Sequence, residues 1–204
     1  MKSFGIGAGA ALLAAWAMAA LPEEDARAGA QPAPNDAPHA AARHDAAERP
    51  TKAVAVLFPV GDSGVSGVLT IEQQGRDRVS IGGTVRGLEP NSRHGFHIHE
   101  FGDLRDLEKG RSVGDHFAPH GSPHGRPDAP AEERHVGDLG NIEANDEGVA
   151  EVRIEDELVR LHGPNSVIGR AFVVHAKEDK FTQPSGDAGD RIAFGTIGIA
   201  KPDG

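Results

Sequence analysis

The segment GFHIHEFGD sets two histidines, His97 and His99, two residues apart in a short apolar stretch. In a strand, successive side chains point to opposite faces, so Phe96 and Ile98 turn toward a core. The two imidazoles then stand about 6.5–7 Å apart on the other face. A pair held this way can chelate a metal ion, although the spacing alone also fits two solvated histidines on an open sheet. Downstream, His116, His120, His124, His135 and Asp138 crowd the polar stretch from Gly114 to Asp138. His135 and Asp138 lie three apart, just before a segment able to form a strand. Imidazole and carboxylate without thiolate suffice for a four-coordinate zinc site. A further histidine, His175, ends the apolar run VIGRAFVVH. The chain has 11 histidines and no cysteine, which excludes disulfides, thiolate zinc sites and cysteine nucleophiles together.

The segments around these residues are short and mostly alternating. AVAVLFPV, GVLTIEQ, VSIGGTVRGL, GFHIHEF, DLGNIEA, GVAEVRI, VIGRAFVVH and RIAFGTIGIA are separated by turn signals such as Gly61-Asp62 and Pro90-Asn91. This pattern predicts an all-β, eight-stranded antiparallel barrel or sandwich. Two connections, 103–135 and 177–190, are too long and polar for turns, and loops of that kind are usually functional. A bound metal would order such a loop, because ligand bonds replace the apolar contacts it lacks.

The rest of the chain is organised differently. Residues 1–20 read as a secretory signal peptide, with an early Lys2, an apolar run from Phe4 to about Leu21 and the small-x-small Ala17-Met18-Ala19. Residues 21–50 are rich in Ala, Pro and charge without periodicity, which reads as a disordered linker; His39 and His44 there are expected to be solvated. The domain is expected over 51–204, in an exported protein, periplasmic or extracellular, that meets a membrane only if the leader is not cleaved. The net charge is −10, so nucleic acid is not an expected partner.

Five ordered segments, GFHIHEFGD, GDHFAPHGSPHG, EERHVGDLGN, GRAFVVHAKED and AGDRIAFGTIGIA, resemble the signature of the copper–zinc superoxide dismutase family over roughly Lys52 to Lys201. The resemblance implies a Greek-key barrel, superoxide as substrate, and copper and zinc as cofactors. His97, His99 and His175 match the copper ligands. His116 matches the histidine that bridges both metals, and His124, His135 and Asp138 match the remaining zinc ligands. Arg191 matches the arginine that orients the anionic substrate, and His116 the proton carrier. Asp179 matches the carboxylate linking a copper-side and a zinc-side histidine, with Glu178 the alternative if the loop register shifts. His94 resembles a histidine that bonds backbone, and His120 is an extra expected at the surface or behind the ligands. The apolar GTIGIA ending resembles a dimer-forming strand, so a homodimer is expected.

Two departures stand out. Relatives carry a disulfide between the first long loop and the last strand, and the matching positions here are Gly110 and Phe194. The second loop lacks the family's run of charged steering residues, leaving Lys177 and Lys180 beside Arg191 as candidates to guide the anion. The other reading is a metal-binding or structural β-sandwich without dismutase activity. Such a module would be expected to lack a copper ligand or the arginine, whereas all of them are present here.

Overall fold

The computed structural model describes residues 49–201. The leader expected over 1–20, and the linker apart from residues 49 and 50, lie outside the described residues. The strands are β1 (Lys52–Pro59), β2 (Ser66–Gln74), β3 (Arg78–Arg86), β4 (Arg93–His99), β5 (Asp138–Glu143), β6 (Val149–Asp156), β7 (Ala171–His175), β8 (Arg191–Thr196) and β9 (Gly198–Ile199). Apart from a 3-10 turn at Arg111–Val113, the described residues hold no helix.

Eight strands follow one path, β5-β4-β7-β8-β1-β2-β3-β6, and β9 is a two-residue pairing on β1. Every named pair is antiparallel. The path ends, β5 and β6, are consecutive in sequence and joined by a tight turn in which Asn145 N–H donates to Val149 O. The sheet therefore curls into a nearly closed Greek-key barrel. Its interior is filled by the inward residues of each strand, among them Ala53, Leu57, Leu69, Ile81, Phe96 and Phe172. Phe96 and Phe172 stack with ring centroids 5.2 Å apart.

The expected architecture is the observed one, with local differences. RIAFGTIGIA breaks at buried Ile197 into β8 and β9 instead of running as one strand. The connection before β7, 157–170, is also a loop. Asp156 Oδ1 accepts the N–H groups of Leu158 and Val159 at 2.7 Å each, and Val159, Leu161 and Val167 are buried beneath it. The apolar residues of that segment thus serve core packing without a ladder. The two long loops fold back over the barrel face that carries His97 and His99.

Candidate metal centre

Strand β4 positions the first pair as its alternation predicts. Phe96 and Ile98 lie in the core, and the rings of His97 and His99 lie 6.5 Å apart on the other face. That face is not open: His97 is 0% and His99 1% exposed, because the first long loop is strapped across it. Phe117 N–H donates to Ile98 O at 2.8 Å, and a β-bridge pairs His99 with His116. The strap brings a loop histidine onto a strand pair. On the neighbouring strand β7, Val173 pairs with His97, so His175, two residues on, shares that face by the same alternation. Asp138, the first residue of β5, lies opposite His97.

Hydrogen bonds decide which ring nitrogens face inward. His99 Nδ1–H donates to Gly114 O at 2.9 Å and His175 Nδ1–H to Gly189 O at 3.1 Å. Both carbonyls only accept, so both Nε2 atoms carry lone pairs, and these two nitrogens lie 3.3 Å apart. His97 gives its Nε2–H to Asp179 Oδ2 at 2.8 Å, leaving a buried Nδ1 without a hydrogen-bond partner. Converging, unpartnered lone pairs in a dry interior are unfavourable unless a cation takes them. One candidate ligand atom each from His97, His99, His116 and His175 lies within 4.8 Å of the others.

A second set adjoins the first. His116, His124, His135 and Asp138 bring one ligand atom each within the same 4.8 Å. Nδ1 of His116, His124 and His135 approach Asp138 Oδ1 at 2.9, 2.9 and 3.1 Å. The His124 approach lacks hydrogen-bond alignment, so its buried Nδ1 is also unpartnered. Asp138 Oδ2 meanwhile accepts N–H groups from Gly125 and His135, 2.9 Å each. His116 belongs to both sets. Four imidazoles suit copper or zinc; three imidazoles and a carboxylate suit tetrahedral zinc.

The electrostatics follow from burial. Desolvation holds His97 below the usual histidine value and His99 and His175 well below it. It lowers His116 to about 4, with help from the neighbouring His97 ring. Burial also opposes charge on His124, but Asp138 and Asp179 outweigh it and raise His124 to about 9. Burial alone would push both carboxylates up; the histidine rings instead hold Asp138 and Asp179 well below the usual range.

Asp179 lies between two of these rings. Its Oδ1 accepts from His124 Nε2 at 3.1 Å while Oδ2 holds His97. Glu178, the alternative, instead pairs with Arg93 at the surface. Gly186 packs so close that a Cβ there would lie 1.9 Å from Asp179 Oδ1, and its φ of +79° suits glycine. Sequence reasoning missed two supports. Asn141 braces Asp179, its Oδ1 accepting Asp179 N–H at 2.7 Å and its Nδ2–H donating to Asp179 O at 3.0 Å. Gln183 clasps His124, accepting its N–H at 3.2 Å and donating to its O at 2.7 Å. Asn141 ends the signature segment EERHVGDLGN and Gln183 lies in none of the five; contact with the second loop identifies the role of each.

Other expectations resolve simply. His94 donates from Nδ1 to His175 O at 2.7 Å, a backbone bond as the resemblance implies. His120 is exposed and bonds Asn165 at 2.7 Å, away from both sets. A cavity of about 500 Å³ opens over His99, His116 and His175, and Arg191 lines it, with Nη2–H donating to Gly114 O at 2.6 Å. Lys177 and Lys180 do not line it, and Lys180 pairs with Asp187 at 2.9 Å. A hollow of about 610 Å³ on the outer faces of β1, β2, β3 and β6 contains no histidine.

Comparison with known proteins agrees with this geometry. Residues 65–197 match the family described as copper/zinc superoxide dismutase. A superoxide dismutase [Cu-Zn] of Candida glabrata is 47% identical over 158 residues, covering 74% of this chain and 99% of the relative. An extracellular superoxide dismutase [Cu-Zn] of Onchocerca volvulus is 44% identical over 160 residues, covering 73% of this chain and 76% of the relative. The crystal structure of a protein described as the clock protein EA4 superposes with a TM-score of 0.68 at 37% identity, covering 74% of this chain and 96% of that one.

Proposed function

Because the chain belongs to the copper/zinc superoxide dismutase family, it dismutes superoxide with copper and zinc as cofactors, and we propose which residues do which part of that work. His97, His99, His116 and His175 hold copper; His116, His124, His135 and Asp138 hold zinc. The observation that carries this reading is His116, a buried histidine common to the two adjoining four-residue sets. Bound there, copper supplies one-electron oxidation and reduction, and zinc supplies fixed charge without redox chemistry.

The side chains do the rest. Two superoxide anions and two protons become dioxygen and hydrogen peroxide, so a proton must be delivered inside a buried site. His116 is the group suited to hold it, at Nε2, since Nδ1 faces Asp138. Burial keeps that ring from holding a proton permanently, so it can release one. Arg191 lines the cavity with its charge toward the anion's path. Asp179 fixes His97 and His124 in tautomer and orientation through its two oxygens.

The test is metal-resolved activity on residues 51–204. After metal removal, copper and zinc are restored separately and together and superoxide loss is followed. Activity is expected to require copper and to collapse in His175→Ala. His135→Ala is expected to lose zinc while retaining copper. Binding of both metals without catalysis above free copper would instead favour the metal-binding module.

Two broader readings belong with this one. A homodimer through the outer face of β1, β2 and β9 is supported by Val56, Val68 and Ile199, 48%, 52% and 64% exposed, and by Val56 pairing directly with Val68. Light scattering should find a dimer that Val56→Glu makes monomeric; a wild-type monomer at micromolar concentration would reject it. Export is supported by the leader-like residues 1–20 and by the relative named as extracellular. Trp16 is the chain's one tryptophan and tyrosine is absent, so a cleaved protein should lose nearly all absorbance at 280 nm. An intact mass that includes residues 1–20 would reject cleavage.

A further inference from the structure

A small anion must approach a domain whose residues 53–204 carry 16 Lys/Arg against 25 Asp/Glu. The cavity over the histidines departs from that balance. Three cations line it, Lys109, Arg111 and Arg191, against three acids, Glu108, Asp115 and Asp190. The two additional cations come from the first long loop, whereas the second loop, where guidance was expected, contributes none.

We propose that Arg111, assisted by Lys109, is the residue that guides superoxide to Arg191. Arg111 is exposed, and among the described residues its guanidinium has no hydrogen bond or ion pair, so its charge is available to an incoming anion. It lies close enough to Arg191 for the two charges to disfavour one another, while Asp115 and Asp106 act on Arg191 in the opposite sense. Two like charges converging on one cavity have an unmet preference for an anion between them.

The turn bearing these cations is held firmly. Asp106 accepts the backbone N–H of Lys109 at 3.1 Å and of Arg111 at 2.9 Å. Gly110 between them adopts φ 65°, and a Cβ there would meet the Phe194 ring at 2.9 Å. Phe194 is fully buried with Val60, Val113, Ala171 and Val173. The apolar contact standing where relatives place a disulfide therefore also aims the two cations. Lys180, by contrast, spends its charge on Asp187.

This inference rests on the reading that superoxide enters through the cavity lined by Arg191, and the experiment separates the two. The metal-loaded enzyme and its Arg111→Gln, Arg111→Lys, Lys180→Gln and Arg191→Gln variants are compared by kcat/KM across ionic strength. Azide affinity is read from the copper absorption spectrum, and metal content is checked for each variant. Arg111→Gln should lower kcat/KM roughly threefold at low salt, within the ~10–10³-fold reach of a whole focused field, with kcat unchanged. The deficit should fade above about 0.1 M salt, where the screening length is ~10 Å. Azide should bind Arg111→Gln more weakly, and Arg111→Lys should recover most of both losses. Lys180→Gln, with the same change in net charge, should match wild type. The proposal is overturned if Arg111→Gln equals wild type at low salt, if its loss ignores salt, or if Lys180→Gln loses as much. Full activity in Arg191→Gln would instead overturn the entry route on which it rests.

Discussion

The two long loops reach the same site by opposite physical means. The first, 100–137, carries proposed ligands itself, His116, His124 and His135, and is pinned by contacts on buried aromatic rings. Phe194 presses on Gly110, and the guanidinium of Arg170 lies 3.4 Å from the centroid of the buried Phe117 ring. The second, 176–190, carries none of the proposed ligands but grips two of them through Asp179, which Asn141 braces, and holds the His124 backbone through Gln183. One loop is fastened by packing and completed by metal. The other is a hydrogen-bonded clasp whose purpose is orientation. Loss of metal should therefore loosen the first loop more than the second, and loss of the clasp should cost metal affinity more than fold stability.

Metal removal is the largest perturbation of that contrast. Metal present at a thousandfold over its dissociation constant stabilises a fold by about 4 kcal/mol. The metal-free protein should melt lower by that order, with proteolysis beginning in 100–137. Equal protease resistance of that loop with and without metal would break the comparison. Next, Phe194→Ala empties a fully buried ring site and should cost about 3–5 kcal/mol, measured by urea unfolding. The cost should appear in metal-bound and metal-free protein alike, because the anchor is apolar. Asp179→Asn, in turn, should weaken zinc binding about 10–100-fold, as loss of a ligand's supporting hydrogen bond does. Chelator competition would measure it, with urea stability of the metal-free protein changing less than in Phe194→Ala. Gln183→Ala should have the smallest effect, about 1 kcal/mol for lost hydrogen bonds, visible as faster zinc release.

The metal-free protein should also be squeezed by pH from both sides. His97, His99, His116 and His175 are all held below the usual value by burial, His116 at about 4. The unfolded chain takes up those protons first, so stability should fall as pH drops below 6.5 toward 4. His124 is raised to about 9 by its two carboxylates, so its contribution is complete below 6.5 and lost as pH rises through 9. A stability maximum near pH 6.5, flattened once metal occupies the ligands, is the expected profile. A metal-free protein whose stability rises steadily from pH 7 to 9 would contradict it.

Much of the site was legible because strand alternation is a local property. The spacing of His97 and His99 specifies a shared face without knowledge of any other residue, and the ordered motifs carried the remaining proposed ligands by resemblance. Legibility ended where position depends on loop path. The motif match favoured Asp179 but left Glu178 open to a register shift; in the fold one is buried between two imidazoles and the other salt-bridges Arg93 at the surface. Lys177 and Lys180 sit beside the motif in sequence, but the cations at the cavity are Lys109 and Arg111, some eighty residues from Arg191. The sequence by itself thus determined the barrel and the ligand types, since alternation and side-chain chemistry act within a few residues. Tertiary structure decided between the two neighbouring carboxylates, put the Phe194 ring in contact with Gly110, and alone decided which cations line the cavity. Those outcomes depend on which distant groups loop closure brings within a few ångströms of one another.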